Sequence, residues 1–91
     1  MDILLHPEAK LDLHKALDYY NSINSTIKED FINNLDFTFN KIKQFPNLYP
    51  YETKSTQKIV LNKFPYIIIY EKYDNIIMIL AIFHTKRKPK Y

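Results

Sequence analysis

The spacing of apolar residues changes period once along this chain, near Pro46, and that switch constrains the fold more than any motif. Before it, Ala9, Leu13, Ala16, Leu17 and Tyr20 fall at offsets 0, 4, 7, 8 and 11. That is one stripe of an amphipathic helix running to about Tyr20. Ile27, Phe31, Leu35, Phe39 and Ile42 repeat near the same period, predicting a second helix of about five turns. After Pro46, Lys58–Asn62, Tyr66–Tyr70 and Ile76–Phe83 are β-branched and aromatic runs of strand length.

The joints follow from local chemistry. Ile3-Leu4-Leu5 reads as a short strand closed by His6-Pro7, with Pro7 suited to the first turn of a helix. Asn21–Asn24 is a polar break of the length that joins antiparallel helices. Thr26-Ile-Lys-Glu29 has the form of a capping box, with Thr26 as N-cap and Glu29 reaching back. Phe45-Pro46 stops the second helix, and Asn47–Pro50 is a turn-rich crossing. Lys72–Asn75 separates the last two strands, and Asp74-Asn75 tolerates the left-handed backbone of a hairpin turn. The predicted order is β-α-α-β-β-β in the α+β class, an N-terminal helical hairpin packed on a small, twisted, mainly antiparallel sheet. Residues 1–91 form one domain. Eight Tyr and six Phe supply the core area that so short a chain needs.

Composition removes several function classes. With no Gly, a phosphate-cradling loop in its usual form is excluded. With no Cys, disulfides, thiol catalysis and Cys-based zinc sites are excluded, which fits a cytosolic chain. His6 and His14 read as surface groups rather than metal ligands, and neither a metal nor a cofactor is expected. Paired carboxylates at strand ends are missing, and Ser22, Ser25 and Ser55 lie on no nucleophile turn. No signal peptide precedes His6, and the apolar run Ile76–Phe83 is too short to span a bilayer, so no membrane partner is expected.

What remains is basic and aromatic. The net charge is +3, and Arg87 is the only Arg among thirteen cations. No acidic residue follows Asp74. Ile76–Phe83 reads as a strand buried on both faces, so the groups at its exit are aimed by the sheet. His84, Arg87 and Tyr91 there, with Lys58, are the candidate set for metal-free RNA cleavage. His84 and Tyr91 would exchange protons and the cations would hold the phosphate. Lys63, Lys86, Lys88 and Lys90 are candidate contacts to a nucleic acid or another target, Lys63 leaving the sheet from the same end as His84. The plainer reading of all these cations is a solvated rim that keeps a small domain soluble. Phe37 lies off the stripe of the second helix and faces either the first helix or a partner.

Ala9…Leu13…Ala16…Tyr19-Tyr20, Phe31…Leu35…Ile42…Pro46, Phe64-Pro65-Tyr66 and Ile79-Leu80-Ala81-Ile82…His84…Arg87…Pro89…Tyr91 together resemble the RelE/ParE toxins of bacterial type II toxin–antitoxin systems. The resemblance spans nearly the whole length. It implies a toxin silenced by a co-expressed antitoxin that wraps the helical hairpin and the sheet. Phe37, off the buried stripe in a chain with a large aromatic load, is the expected antitoxin contact. RelE-like members cut mRNA on the ribosome without a metal; ParE-like members poison DNA gyrase and are not enzymes. Where an Arg is often found in that superfamily stands Gln57-Lys58, which keeps a charge and loses the bidentate fork. The Phe64-Pro65-Tyr66 segment and the terminal pattern look more like the ParE side. A non-toxic remnant that only binds its antitoxin and represses is the remaining alternative.

Overall fold

The computed structural model describes residues 1–86. Its elements are β1 (Asp2–Leu5), α1 (Pro7–Ile23), α2 (Ser25–Gln44), β2 (Thr56–Val60), β3 (Tyr66–Tyr73) and β4 (Ile76–His84). The order of elements is the one the periodicity predicts.

The strands form one sheet in the order β1-β4-β3-β2, and the helices lie across one face of it. β2, β3 and β4 are an antiparallel meander, whereas β1 pairs parallel to β4 in the register Ile3↔Ile77 and Leu5↔Ile79. A parallel pair needs a long crossover, and the helical hairpin supplies it. The two-residue turn between β3 and β4 has Asp74 at φ 32, the left-handed backbone that Asp tolerates in a chain without glycine.

Several local expectations are revised. α1 runs to Ile23, so the expected four-residue break shrinks to Asn24 alone. Asn24 then caps α2 itself: its backbone is extended, and its Oδ1 accepts from the Ile27 amide at 2.7 Å. Thr26 lies inside the first turn, and the predicted capping box is not used. His6 has a structural role, because its Nδ1 accepts from the Glu8 amide at 3.2 Å and caps α1. β2 starts and ends two residues earlier than the run Lys58–Asn62 suggests, and β3 continues to Tyr73. β4 has strands on both edges but helices on one face only. Ile77 and Ile79 are buried, and Met78 and Phe83 are half-buried.

The core joins the two helix stripes to the inner sheet face: Ala9, Ala16, Phe31 and Ile42 against Ile68, Tyr70, Ile77 and Ile79. Tyr20, Phe31, Phe64 and Tyr66 form an aromatic cluster with centroids 4.9 to 6.2 Å apart. Tilted and edge-on pairs of this kind add about 0.5–1.5 kcal/mol each beyond the area they bury. Opposite Ile69 and Tyr70 the β3–β4 register slips, leaving Leu80 as an extra residue. That bulge breaks the alternation of β4, so that Ala81 and Ile82 are both buried.

Candidate functional site

Two turns meet at one end of the sheet. Leu61 donates its amide to Tyr66 O at 3.0 Å, and Thr85 donates to Pro65 O at 2.7 Å. Lys63 and Lys86 are exposed on the two segments so joined. His84 pairs with Tyr66 across the ladder and stands edge-on to its ring at 5.2 Å. The Lys86 amide donates to His84 Nδ1 at 3.1 Å, which assigns the proton of the neutral ring to Nε2. His84 is thus held at the end of β4 by its place in the ladder and by this bond, not by a strand buried on both faces. Arg87, Lys88, Lys90 and Tyr91 lie outside the described residues.

Lys58 is not part of this end. It pairs with Ile69, whereas His84 pairs with Tyr66, three residues away on β3. Side chains alternate along a strand, so positions three apart face opposite ways. Tyr66 contacts Tyr20 and Phe31 of the helices, which puts His84 on the helix side and Lys58 on the bare side of the sheet. Lys58 Nζ is also bound to Glu52 at 3.0 Å. Lys54 lies in the turn before β2, at the end remote from Lys63.

A groove runs between α2 and the β2 edge of the sheet. Phe37 stands in its wall and is 52% exposed, with Lys41 Nζ 5.4 Å from the ring centroid. Beyond Phe37 the lining is mostly apolar, with Phe45, Leu48 and Val60 all exposed and Thr38, Lys41 and Asn62 as its polar members. On the other side of Phe37 is a polar recess of about 480 Å³ lined by Asp30, Asn33, Asn34, Asn62, Lys63 and Phe64. Exposed aromatic and aliphatic side chains gathered along one groove mark an interaction surface in a chain this small.

The groove's far wall, residues 46–49, is held by a buried polar knot. Gln57 Nε2 donates to Pro46 O at 2.8 Å and to Tyr49 O at 3.0 Å, and the Tyr70 hydroxyl donates to Pro46 O at 3.0 Å. Burial pushes the Tyr70 hydroxyl up to about 12, with Tyr49 and Tyr51 adding to the shift. Gln57, met in the sequence as a departure from an Arg pattern, is thus a fully buried brace. Asn34 and Gln57 carried one sequence signal: each is polar at a position where the local period points inward.

Among the described residues, no group of three or more His, Asp or Glu side chains stands together to hold a metal ion, and no helix is long and apolar enough to cross a membrane. No curated protein sequence matches this chain significantly. One solved structure with the same fold is the chromosomal ParDE toxin–antitoxin system from P. aeruginosa. It superposes with a TM-score of 0.68 at 17% identity, covering 94% of this chain and 97% of that one. The family model described as the ParE toxin of the type II toxin–antitoxin system parDE matches residues 3–89. By that match over nearly its whole length, the chain belongs to the ParE family of type II toxins.

Proposed function

We propose that this toxin inhibits growth by poisoning DNA gyrase and is neutralised by a cognate antitoxin seated in the groove beside α2. The observation that carries the first half is the separation of Lys58 from His84. Cleavage of RNA without a metal needs an acid, a base and a phosphate clamp around one scissile bond. Two members of the candidate set face opposite sides of the sheet, and one of them is already paired with Glu52. A gyrase poison asks less of these residues, because contact surface and charge suffice. Exposed Lys63 and Lys86, with Arg87, Lys88 and Lys90 following in the sequence, supply that charge.

The antitoxin half rests on the exposure of Phe37 and the apolar trough that continues from it. Phe37→Glu places a charge in the trough and leaves the core stripe untouched, so it weakens the complex while the chain stays folded.

The deciding experiment places purified toxin with gyrase and relaxed plasmid, and separately with ribosomes programmed with mRNA. The expected result is trapped plasmid breaks in the first reaction and intact message in the second. Ribosome-dependent cuts in the message, with gyrase unaffected, would reverse the assignment.

A further inference from the structure

The two edges of the sheet differ. At the β2 edge the chain shields itself: the Lys58 amide donates to Pro50 O at 3.0 Å, and the Glu52 amide to Thr56 O at 2.7 Å. At the β1 edge no described residue does this. The Asp2 amide donates to Asn75 O at 3.2 Å and the His6 amide to Ile79 O at 2.9 Å. Even-numbered residues of β1 therefore face β4, and Ile3 and Leu5 turn N–H and C=O outward. Ile3-Leu4-Leu5 carries none of the charges or prolines that usually blunt an open edge. Leu4, beside Met78 on the bare face of the sheet, is 48% exposed. Next to this edge α2 presents Asp36, Phe39, Asn40 and Lys43, which with β1 line a shallow groove. The buried stripe of α2 separates that groove from the one at Phe37.

We infer that the β1 edge pairs with the β1 edge of a second copy of this chain, joining two sheets into one about a two-fold axis. An antiparallel register centred on Leu4 sets Ile3 opposite the partner's Leu5, and Leu5 opposite the partner's Ile3. Every outward N–H and C=O of these residues is then paired, and the two Leu4 side chains meet at the closely spaced, non-hydrogen-bonded position. The α2 stripe favours a second copy over an unrelated strand. Asp36 and Lys43 lie equally far from its midpoint between Phe39 and Asn40. A two-fold axis there turns Asp36 toward the partner's Lys43 at both ends, so opposite charges face each other across the shared groove. Both residues are exposed, and neither forms an ion pair among the described residues. Exposed charges of this kind add little strength but select the orientation. The dimer leaves the groove at Phe37 open, so it is compatible with a bound antitoxin.

The test measures the monomer–dimer Kd of the free full-length toxin by sedimentation over a dilution series at low salt. Asp36→Lys and Lys43→Glu each set like charges facing at two places and are expected to weaken the dimer about tenfold. The double swap restores both facings and should return Kd to within about threefold of wild type. Asp18→Lys, the same charge change on an exposed residue far along α1, should also stay within about threefold. The chain has no Cys, so Leu4→Cys reports the register directly: opposed Cα atoms at about 4.5 Å suit a disulfide, and mild oxidation should give a covalent dimer. Val60→Cys on the shielded edge, at 55% exposure, should remain monomeric. If Leu4→Cys does not fold, the charge variants on exposed helix positions decide alone. The proposal is overturned by a toxin that stays monomeric throughout, by equal crosslinking of the two cysteine variants, or by a double swap no tighter than its parents. A monomeric toxin whose Leu4→Lys variant loses affinity for the antitoxin encoded beside it would give this edge to the antitoxin instead.

Discussion

The carboxylate of Asp12 on α1 accepts the backbone amide of Ile82 on β4 at 3.0 Å, a bond between residues 70 positions apart. It lies immediately after the bulge at Leu80, where the β3–β4 register slips. Asp12 is 6% exposed, so a helix carboxylate meets a sheet backbone amide inside the packed interior. The contact ties α1 to the strand that ends at His84.

Removing that acceptor leaves a buried donor unmatched, which typically costs about 1–3 kcal/mol. Asp12→Ala is therefore expected to lower the free energy of unfolding by about that amount, read from urea melts. Asp12→Asn keeps an oxygen facing the Ile82 amide and should recover most of the loss. Equal destabilisation by both variants would show that charge, not the bond to Ile82, is what matters.

The start of α2 offers a second test of local structure. Asn24, not Thr26, holds the Ile27 amide, and loss of an N-cap costs about 0.5–2 kcal/mol. Asn24→Ala should fall in that range, whereas Thr26→Ala, inside the first turn, should change stability by less than about 0.5 kcal/mol. The reverse ranking would restore Thr26 as the cap.

Tyr70 sets the alkaline behaviour. Its hydroxyl titrates at about 12 in the folded chain, above the unfolded value of about 10. A raised folded value means that its contribution to stability is complete below pH 10 and declines as pH rises toward 12. Tyr70→Phe lacks the bond to Pro46 and should be less stable than wild type at pH 8. The gap should narrow progressively between pH 10 and 12 in denaturant melts. A gap that stays constant through that window would place the ionisation of Tyr70 elsewhere.

The gyrase assignment makes a distinct forecast for His84. In a nuclease, loss of a general acid or base costs about 10²- to 10⁴-fold in rate, and growth inhibition should vanish with it. Under gyrase poisoning, His84→Gln and Lys58→Met should each leave growth inhibition in expressing cells within about threefold of wild type at equal protein level, since neither substitution removes a proton-transfer step. Loss of inhibition by both variants, with folding intact, would return mRNA cleavage as the activity.

The elements of this fold were legible in the sequence because each depends on neighbours close in the chain. Two helical stripes, three β-branched runs and a turn at Asp74-Asn75 declare themselves by period and backbone preference, and with them the α+β class. The groove was legible only through Phe37, whose position off the stripe of α2 left it facing either the first helix or a partner; the structure leaves its ring exposed. The tertiary structure decided what local rules leave degenerate. Asn24 and Thr26 both satisfy the rule for an N-cap, and the choice fell where α1 stopped. Which face of the sheet carries Lys58 and which carries His84 is a matter of register against β3, set by long-range packing of Tyr66 and Tyr70 on the helices. Asp12, Asn34 and Gln57 are buried because partners far away in the chain can bind them or enclose them. A buried polar side chain is tolerable only once such partners arrive, so the local period can mark Asn34 and Gln57 as inward-facing but cannot say what binds them there.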